Sequence, residues 1–331
     1  MRTVTATAPV RVDLTGGATD CPPWMAWHGG VHVNIAVAHH VRATVTATRD
    51  QGITVTVGPR QRPAPASAQR LVTQLARALQ VSGVAVSLTL DVPPASGLGT
   101  SGAVGVATVA ALAAHGGASY SPDWIAEVAA AAERATGAAG GKQDQYAAAH
   151  GAAHLWRITS SGVQPTRLHD AKVQQLAERL LIAHPGGARP SSGMVEAVAE
   201  RLRAGEPDVT TAHHDLNALA EQLPAAIASG DLGRVADLIN SVRRAQARLH
   251  PDAVDDTAYR ELTRPGGLLA AKPCGGAGAG AAWLLLCEAD AAPHLTRHYT
   301  QRGFTTLPVT VAPQGVHVDT TAAVNEEVPA G

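Results

Sequence analysis

The sequence predicts a mixed α+β protein built as two halves. Two observations carry this. β-branched alternating runs and Ala-rich runs with helical spacing occur in both halves, and they do not follow the strict strand–helix alternation of a doubly wound sheet. A polar stretch containing Pro165, from Thr159 to Asp170, separates them. The expected division is therefore 1–165 and 166–331.

In order, Thr3 to Ala8 and Val10 to Leu14 read as strands broken by Pro9, followed by a loop dense in turn formers, Thr15 to Pro23. Val31 to Val37, Val41 to Thr48 and Ile53 to Val57 alternate as strands, and 61–67 is a Pro/Ala loop. Leu71 to Leu79 is a short helix. Val84 to Val92 is a strand that runs into a glycine turn, and Val104 to Ala114 is a helix. Pro122 opens the next helix, as proline does at a first helical position, and it runs to Ala135. Gly137 to Gly141 breaks it, Gln143 to His150 is helical again, and Ala152 to Ile158 is a strand. In the second half Leu180 to Ala183, Leu268 to Ala271 and Ala282 to Cys287 are strands. Met194 to Arg203, His213 to Ala228, Leu232 to Leu249 and Ala291 to Arg302 are helices. Thr305 to Val311 and Val316 to Asp319 close the pattern.

Bulk composition narrows the function classes. The chain has 331 residues, 45% hydrophobic but only 3% aromatic, so the core is built from Ala, Val and Leu. A net charge of −1 gives no basic face for nucleic acid or a membrane surface. Three scattered cysteines form neither a disulfide framework nor a zinc pattern, which fits a cytoplasmic setting. No apolar run is long enough to span a membrane. The sequence leaves the oligomeric state open, a homodimer included.

The stretch Pro93-Pro94-Ala95-Ser96-Gly97-Leu98-Gly99-Thr100-Ser101-Gly102-Ala103 carries the first chemical signal. A strand delivers the chain into a glycine turn that opens a helix, an arrangement suited to a phosphate. Thr100 and Ser101 place hydroxyls where they cap the helix or reach a metal ion. By itself the stretch also reads as a plain capped helix start. Gly97, Gly99 and Gly102 spell a dinucleotide fingerprint as well, but no second strand ending in an acidic residue follows at the required distance.

Three further motifs stand with this loop. The first is Ala8-Pro9-Val10-Arg11-Val12-Asp13-Leu14-Thr15-Gly16-Gly17-Ala18-Thr19-Asp20. The second is Glu133 followed by Gly140-Gly141-Lys142-Gln143-Asp144-Gln145-Tyr146. The third is Lys272-Pro273-Cys274-Gly275-Gly276-Ala277-Gly278-Ala279-Gly280. Singly each has an ordinary reading: a solvated strand edge for Arg11 and Asp13, a surface carboxylate for Glu133, a helix cap for Asp144, a hairpin loop for the last. Together and in this order they resemble the GHMP kinase superfamily, which includes galactokinase, homoserine kinase and mevalonate kinase. The resemblance runs from about residue 6 to residue 319 and is strongest to D-glycero-D-manno-heptose 7-phosphate kinases and L-fucokinases. Thr100 and Gly102 depart mildly from the central motif, and Ala277 and Ala279 interrupt the last glycine run.

The resemblance implies an N-terminal domain like domain 2 of ribosomal protein S5, a ferredoxin-like C-terminal domain, and an active site in the cleft between them. It implies ATP and Mg²⁺ as cofactors and a sugar or sugar phosphate as acceptor, with phosphorylation at the anomeric hydroxyl. ATP would be held by Pro94, Gly97, Leu98, Gly99, Thr100, Ser101 and Gly102, with Gly276 and Gly278 closing over it. Ser101 and Glu133 would ligate the metal ion. Asp144 would face the acceptor hydroxyl as base or orienter, and Arg11 would stabilise Asp144 or the transferring group. Gly17, Thr19, Asp20, Trp24 and Gly141 would shape the acceptor pocket. Arg189, beside Ser191 and Ser192, would read a phosphate on the acceptor or pair with a carboxylate of its own domain. The alternatives kept open are another polyol, amino sugar or hydroxy acid as acceptor, a catalytically weakened nucleotide- or sugar-binding relative, and an NAD-dependent oxidoreductase.

Overall fold

A computed structural model of the chain describes residues 3–186, 192–275 and 280–319. In chain order the first half contains β1 (Thr3–Asp13), α1 (Trp24–His28), β2 (Gly30–Ala47), β3 (Ile53–Val57), β4 (Arg62–Pro63), α2 (Ala66–Ala78), β5 (Val84–Leu90), α3 (Thr100–His115), α4 (Pro122–Ala135), α5 (Gln143–His150), β6 (Ala153–Thr159) and β7 (Gly162–Arg167). The second contains α6 (Asp170–Ala177), β8 (Leu180–His184), α7 (Ser192–Arg203), α8 (Pro207–Ser229), α9 (Leu232–Leu249), α10 (Asp256–Thr263), β9 (Leu268–Pro273), β10 (Trp283–Cys287), α11 (Ala292–Gln301), β11 (Thr305–Pro308) and β12 (His317–Asp319).

The first sheet is organised around β2. One edge pairs with β1; the other pairs with β6 over its first half and with β5 over its second. This is why the two runs expected on either side of His39 are one continuous strand. Pro9 does not break β1 either. The strand continues through a register shift between Pro9 and Val10, the kind of bulge that accommodates a residue with no N–H to donate. β4, a two-residue strand in the expected loop, pairs with β3.

α3 is the central helix. It is buried on nearly every face, packing on β1 and β2 and against α2, α4 and α5. A helix that is apolar all round belongs in a core, and its small side chains allow close approach: a Cβ on Gly105 would lie 3.2 Å from the Ala129 Cβ of α4.

The second sheet has the order β11-β8-β10-β9, all antiparallel. Numbered within this half, that is 4-1-3-2, the ferredoxin-like arrangement. Its central strands are buried on both faces. Ile182, Leu284 and Leu286 point into the main core, whereas Leu181, Ala183, Trp283 and Leu285 join a second cluster with Leu262, Leu295 and Tyr299 of α10 and α11.

The region expected to divide the halves holds β7, which pairs with β6 in the first sheet. The expected division at 165/166 falls inside that strand. β12 also belongs to the first sheet, pairing with β1 at Thr5, Ala6 and Thr7.

Candidate active site

The opening glycine turn is built as the sequence requires. Gly97 and Gly99 have φ of +83° and +71°, left-handed values that favour glycine. Gly99 occupies the N-cap of α3, and no side chain caps the helix. Ser101 and Thr100 are therefore not caps, and the first-turn N–H groups have no acceptor within the helix. Ser101 is exposed, while the buried hydroxyls of Thr100 and Ser96 have no hydrogen-bond partner among the described residues. Pro94 is exposed at the turn's start, and Leu98 is buried, its carbonyl accepting from the Arg11 N–H at 3.0 Å.

α5 delivers Asp144 to this helix end. A Cβ on Gly102 would stand only 2.6 Å from the Asp144 Cβ, and one on Gly99 would stand 3.3 Å from the Asp144 carboxyl carbon. The glycines thus give room for the carboxylate as well as for a phosphate. Arg11 reaches Asp144 from β1, with Nε donating to Oδ1 at 2.8 Å and Nη2 2.6 Å from the same oxygen. Nη1 donates to the Gly97 carbonyl. Oδ2 of Asp144 is left without a protein partner among the described residues, and the side chain is 27% exposed. Burial raises the Asp144 pKa; Arg11 opposes the shift, and the nearby Asp20 charge adds to it.

Glu133, at the end of α4, faces Ser101. Gln145 Nε2 donates to Glu133 Oε2 at 2.5 Å, and the Ser101 hydroxyl also bonds the carboxylate. Burial raises the Glu133 pKa as well. A hydroxyl and a half-buried carboxylate form a hard oxygen pair, and magnesium commonly takes only one or two such ligands from protein. The residues therefore fit Mg²⁺, and the free N–H groups and glycine cradle fit a phosphate.

Asp20 has a different role from the one expected of it. It is buried, and Oδ2 accepts the backbone N–H groups of Lys142 and Gln143 at 2.7 and 2.9 Å. Oδ1 lies 3.2 Å from His32 Nε2. Burial alone would raise the Asp20 pKa, but the charge and hydrogen bond of His32 and the two N–H donors outweigh it and hold the carboxyl well below the usual range. The carboxylate is thus committed to the start of α5, whose first turn carries Asp144, rather than open to sugar hydroxyls. Gly141 supplies the space for it. Thr19 is buried with its hydroxyl 2.9 Å from His32 Nε2.

Two other expected pocket residues are buried against the second half. Trp24 is 1% exposed and packs with Val198, Leu202, Leu216 and Leu249, locking the first half onto α7, α8 and α9. Gly17 packs against Leu216 and Leu249. The Trp24 side chain is thus buried in packing rather than open to a substrate, whereas Gly17 also lines a small cavity with Met194, Gln246 and Gly275. Gly276, Gly278 and Arg189 lie outside the described residues.

Sequence reasoning missed His32, Gln145 and the buried pair formed by Asp13 and Lys272. A histidine in a strand and a glutamine on a helix carry no signal until the fold brings acids to them. Lys272 and Asp13 sit inside the motifs, but nothing in their spacing shows that they meet.

A cleft of about 380 Å³ adjoins this centre. Cys21 and Pro22, next to Asp20, form one wall with Arg134 and the 137–140 loop, and Glu196, Glu200 and Arg203 of α7 form the other.

Residues 66–152 match the family model described as the GHMP kinases N terminal domain. The chain has the GHMP kinase fold. A solved D-glycero-D-manno-heptose 1-phosphate kinase from Bacteroides thetaiotaomicron superposes with a TM-score of 0.77 at 21% identity, covering 97% of this chain and 100% of that one. Lactococcus lactis galactokinase, solved with galactose, gives 0.73 at 14% identity, covering 95% of each chain. A curated relative, the bifunctional fucokinase/GDP-fucose pyrophosphorylase of Arabidopsis thaliana, is 24% identical over 275 residues. That match takes in 73% of this chain but only 26% of the relative's length. Within the GHMP kinase fold, the glycine turn, Arg11, Glu133 and Asp144 all belong to the first half. Among the described residues no helix is long and apolar enough to cross a membrane.

Proposed function

We propose that this chain is an ATP-dependent sugar kinase that phosphorylates the anomeric hydroxyl of a sugar or sugar phosphate. The observation that carries the reading is the Arg11–Asp144 pair seated on the glycine-started end of α3, with Glu133 and Ser101 beside it. The heptose kinase and fucokinase likenesses support a sugar acceptor. Free, buried cysteines suit a cytoplasmic enzyme.

Bound ATP would supply the phosphoryl group, and Mg²⁺ held by Glu133 and Ser101 would neutralise its charge. The backbone N–H groups at the start of α3 would hold the phosphate oxygens. Asp144 Oδ2 takes the proton of the acceptor hydroxyl as its oxygen bonds the γ-phosphorus and the bond to the ADP oxygen breaks. The products are ADP and a sugar 1-phosphate, and the proton passes from Asp144 to solvent. Arg11 fixes the Asp144 rotamer through Oδ1. Asp20, Thr19 and Gly141 act from behind by setting the start of α5, and the acceptor occupies the cleft beside Cys21 and the 137–140 loop.

A kinase screen over heptose 7-phosphate, fucose, galactose, uronic acids and amino sugars, with the phosphorylated carbon read by NMR, tests the reading. ATP turnover with a sugar giving a 1-phosphate is expected. Phosphorylation confined to another carbon would refute the anomeric assignment, and saturable NAD binding without Mg·ATP binding would refute the kinase.

A further inference from the structure

We propose that Lys272 and Asp13 form a buried clasp that holds Gly275 against the first glycine turn at Gly97, making Lys272 a positioning residue for nucleotide binding. The inference rests on the kinase reading above.

Lys272, on β9 of the second half, is fully buried; Asp13, on β1 of the first half, is fully buried too. Lys272 Nζ donates to the Asp13 backbone carbonyl at 2.8 Å and lies 3.8 Å from Asp13 Oδ1. Neither Asp13 carboxylate oxygen has a hydrogen-bond partner among the described residues. A buried pair satisfied this poorly is a weak source of stability, because desolvation of both charges offsets their attraction. Its better-supported use is to fix register between the segments that carry the charges.

Those segments are the roots of the nucleotide site. Asp13 lies two positions beyond Arg11 on one strand, so both side chains occupy the same face. Lys272 lies three positions before Gly275, where the two glycine loops meet. A Cβ on Gly275 would stand 2.8 Å from the Gly97 carbonyl oxygen, and one on Gly97 would stand 2.6 Å from that of Cys274. From the loop's other root, the Ala282 N–H donates to the Ser96 carbonyl at 2.8 Å. The clasp is thus a side-chain link between the halves at the point where their glycine backbones touch.

The test uses the full chain with Lys272→Met, Asp13→Asn and the double variant. Thermal unfolding, Mg·AMP-PNP affinity by calorimetry and KM for each substrate are measured. Each single variant is expected to lower the melting temperature, since it leaves a buried charge unpaired. The double variant should recover most of that loss. Its nucleotide affinity should stay about tenfold or more below that of the unaltered chain, with KM for ATP raised and KM for the acceptor little changed. Affinity restored to within about twofold of the unaltered chain would show a purely structural pair and overturn the proposal. If the double variant does not fold, Asp13→Asn decides, because it keeps the shape and the Lys272 bond to the backbone. An affinity loss of about threefold or more supports the clasp, and unchanged affinity overturns it. Failure of the unaltered chain to bind Mg·AMP-PNP would instead bring down the kinase reading, and the clasp with it.

Discussion

Asp20 and Gly141 fit together so closely that a Cβ on Gly141 would fall inside the Asp20 carboxylate. The glycine lets a carboxylate from the first loop reach the N-terminus of α5, where two backbone N–H groups and the positive end of the helix hold it. Because Asp144 lies in the first turn of α5, the contact sets the position of the proposed base. Gly141→Ala should cost about 1–3 kcal/mol of stability, the usual range for overpacking, and should lower kcat more than it changes KM for ATP. Denaturant unfolding and steady-state kinetics together check this; wild-type kcat in a folded Gly141→Ala variant would show that Asp20 does not govern Asp144.

Asp144→Asn keeps the size of the side chain and removes the proton acceptor. We expect kcat to fall about 10²–10⁴-fold, the usual worth of a positioned base, while Mg·AMP-PNP binding is retained. Turnover equal to wild type would refute the assignment.

The same carboxylate predicts a pH profile. Asp144 must be ionised to accept a proton, and burial raises its pKa against the opposing pull of Arg11. The acid limb of kcat should therefore lie above the ordinary aspartate value of about 3.9, with activity lost as pH falls through it. A limb at or below that value, measured with stability controlled, would be inconsistent with Asp144 as the base.

The Asp20–His32 pair predicts a stability profile. The His32 pKa is raised: burial opposes protonation, but the Asp20 charge and hydrogen bond outweigh it. Its stabilising contribution is therefore complete below the unfolded histidine value of about 6.5 and is lost as pH rises through the folded value. The Asp20 pKa is depressed, so its contribution is present above an unfolded value of about 3.9 and is lost as pH falls toward the folded one. His32→Gln should flatten the alkaline loss; urea unfolding from pH 5 to 9 should show the slope disappear in the variant alone.

Trp24→Ala should cost about 3–5 kcal/mol, as for large buried aromatics, without selectively raising KM for the acceptor in protein that remains folded. An acceptor-specific rise in KM with unchanged melting temperature would return Trp24 to the pocket.

Much of the fold is legible in local pattern. The period-2 runs of β1, β2, β5 and β10 and the Ala-rich face of α3 require no knowledge of partners. Pairing is what local pattern does not carry. β2 reads as two strands because its neighbour changes from β6 to β5 midway, and Pro9 reads as a break because a bulge depends on the opposing strand. In the site, Arg11, Gly97, Gly99, Gly102, Ser101, Glu133 and Asp144 converge as their motifs imply. Asp20 and Trp24 are less legible. Their sequence context places Asp20 at the end of the first motif and Trp24 just beyond it but does not show which way they face, and tertiary packing turns one toward α5 and the other into the second half's helices.

The return of β12 to the first sheet has a topological consequence. After β11 the chain leaves the second sheet, bridges Val37 at Val311, passes Gly315 against the end of α5 and pairs with β1. The first half is therefore a two-part body, closed by a strap that is made only after the second half has been laid down. No single cut separates the halves intact. Cleavage near Leu168 alone leaves the first body without its closing strap, and the strap without anything of its own to close. Two cuts, one there and one after Pro308, are needed to part them, and the strap must then be supplied to the first body as a separate strand.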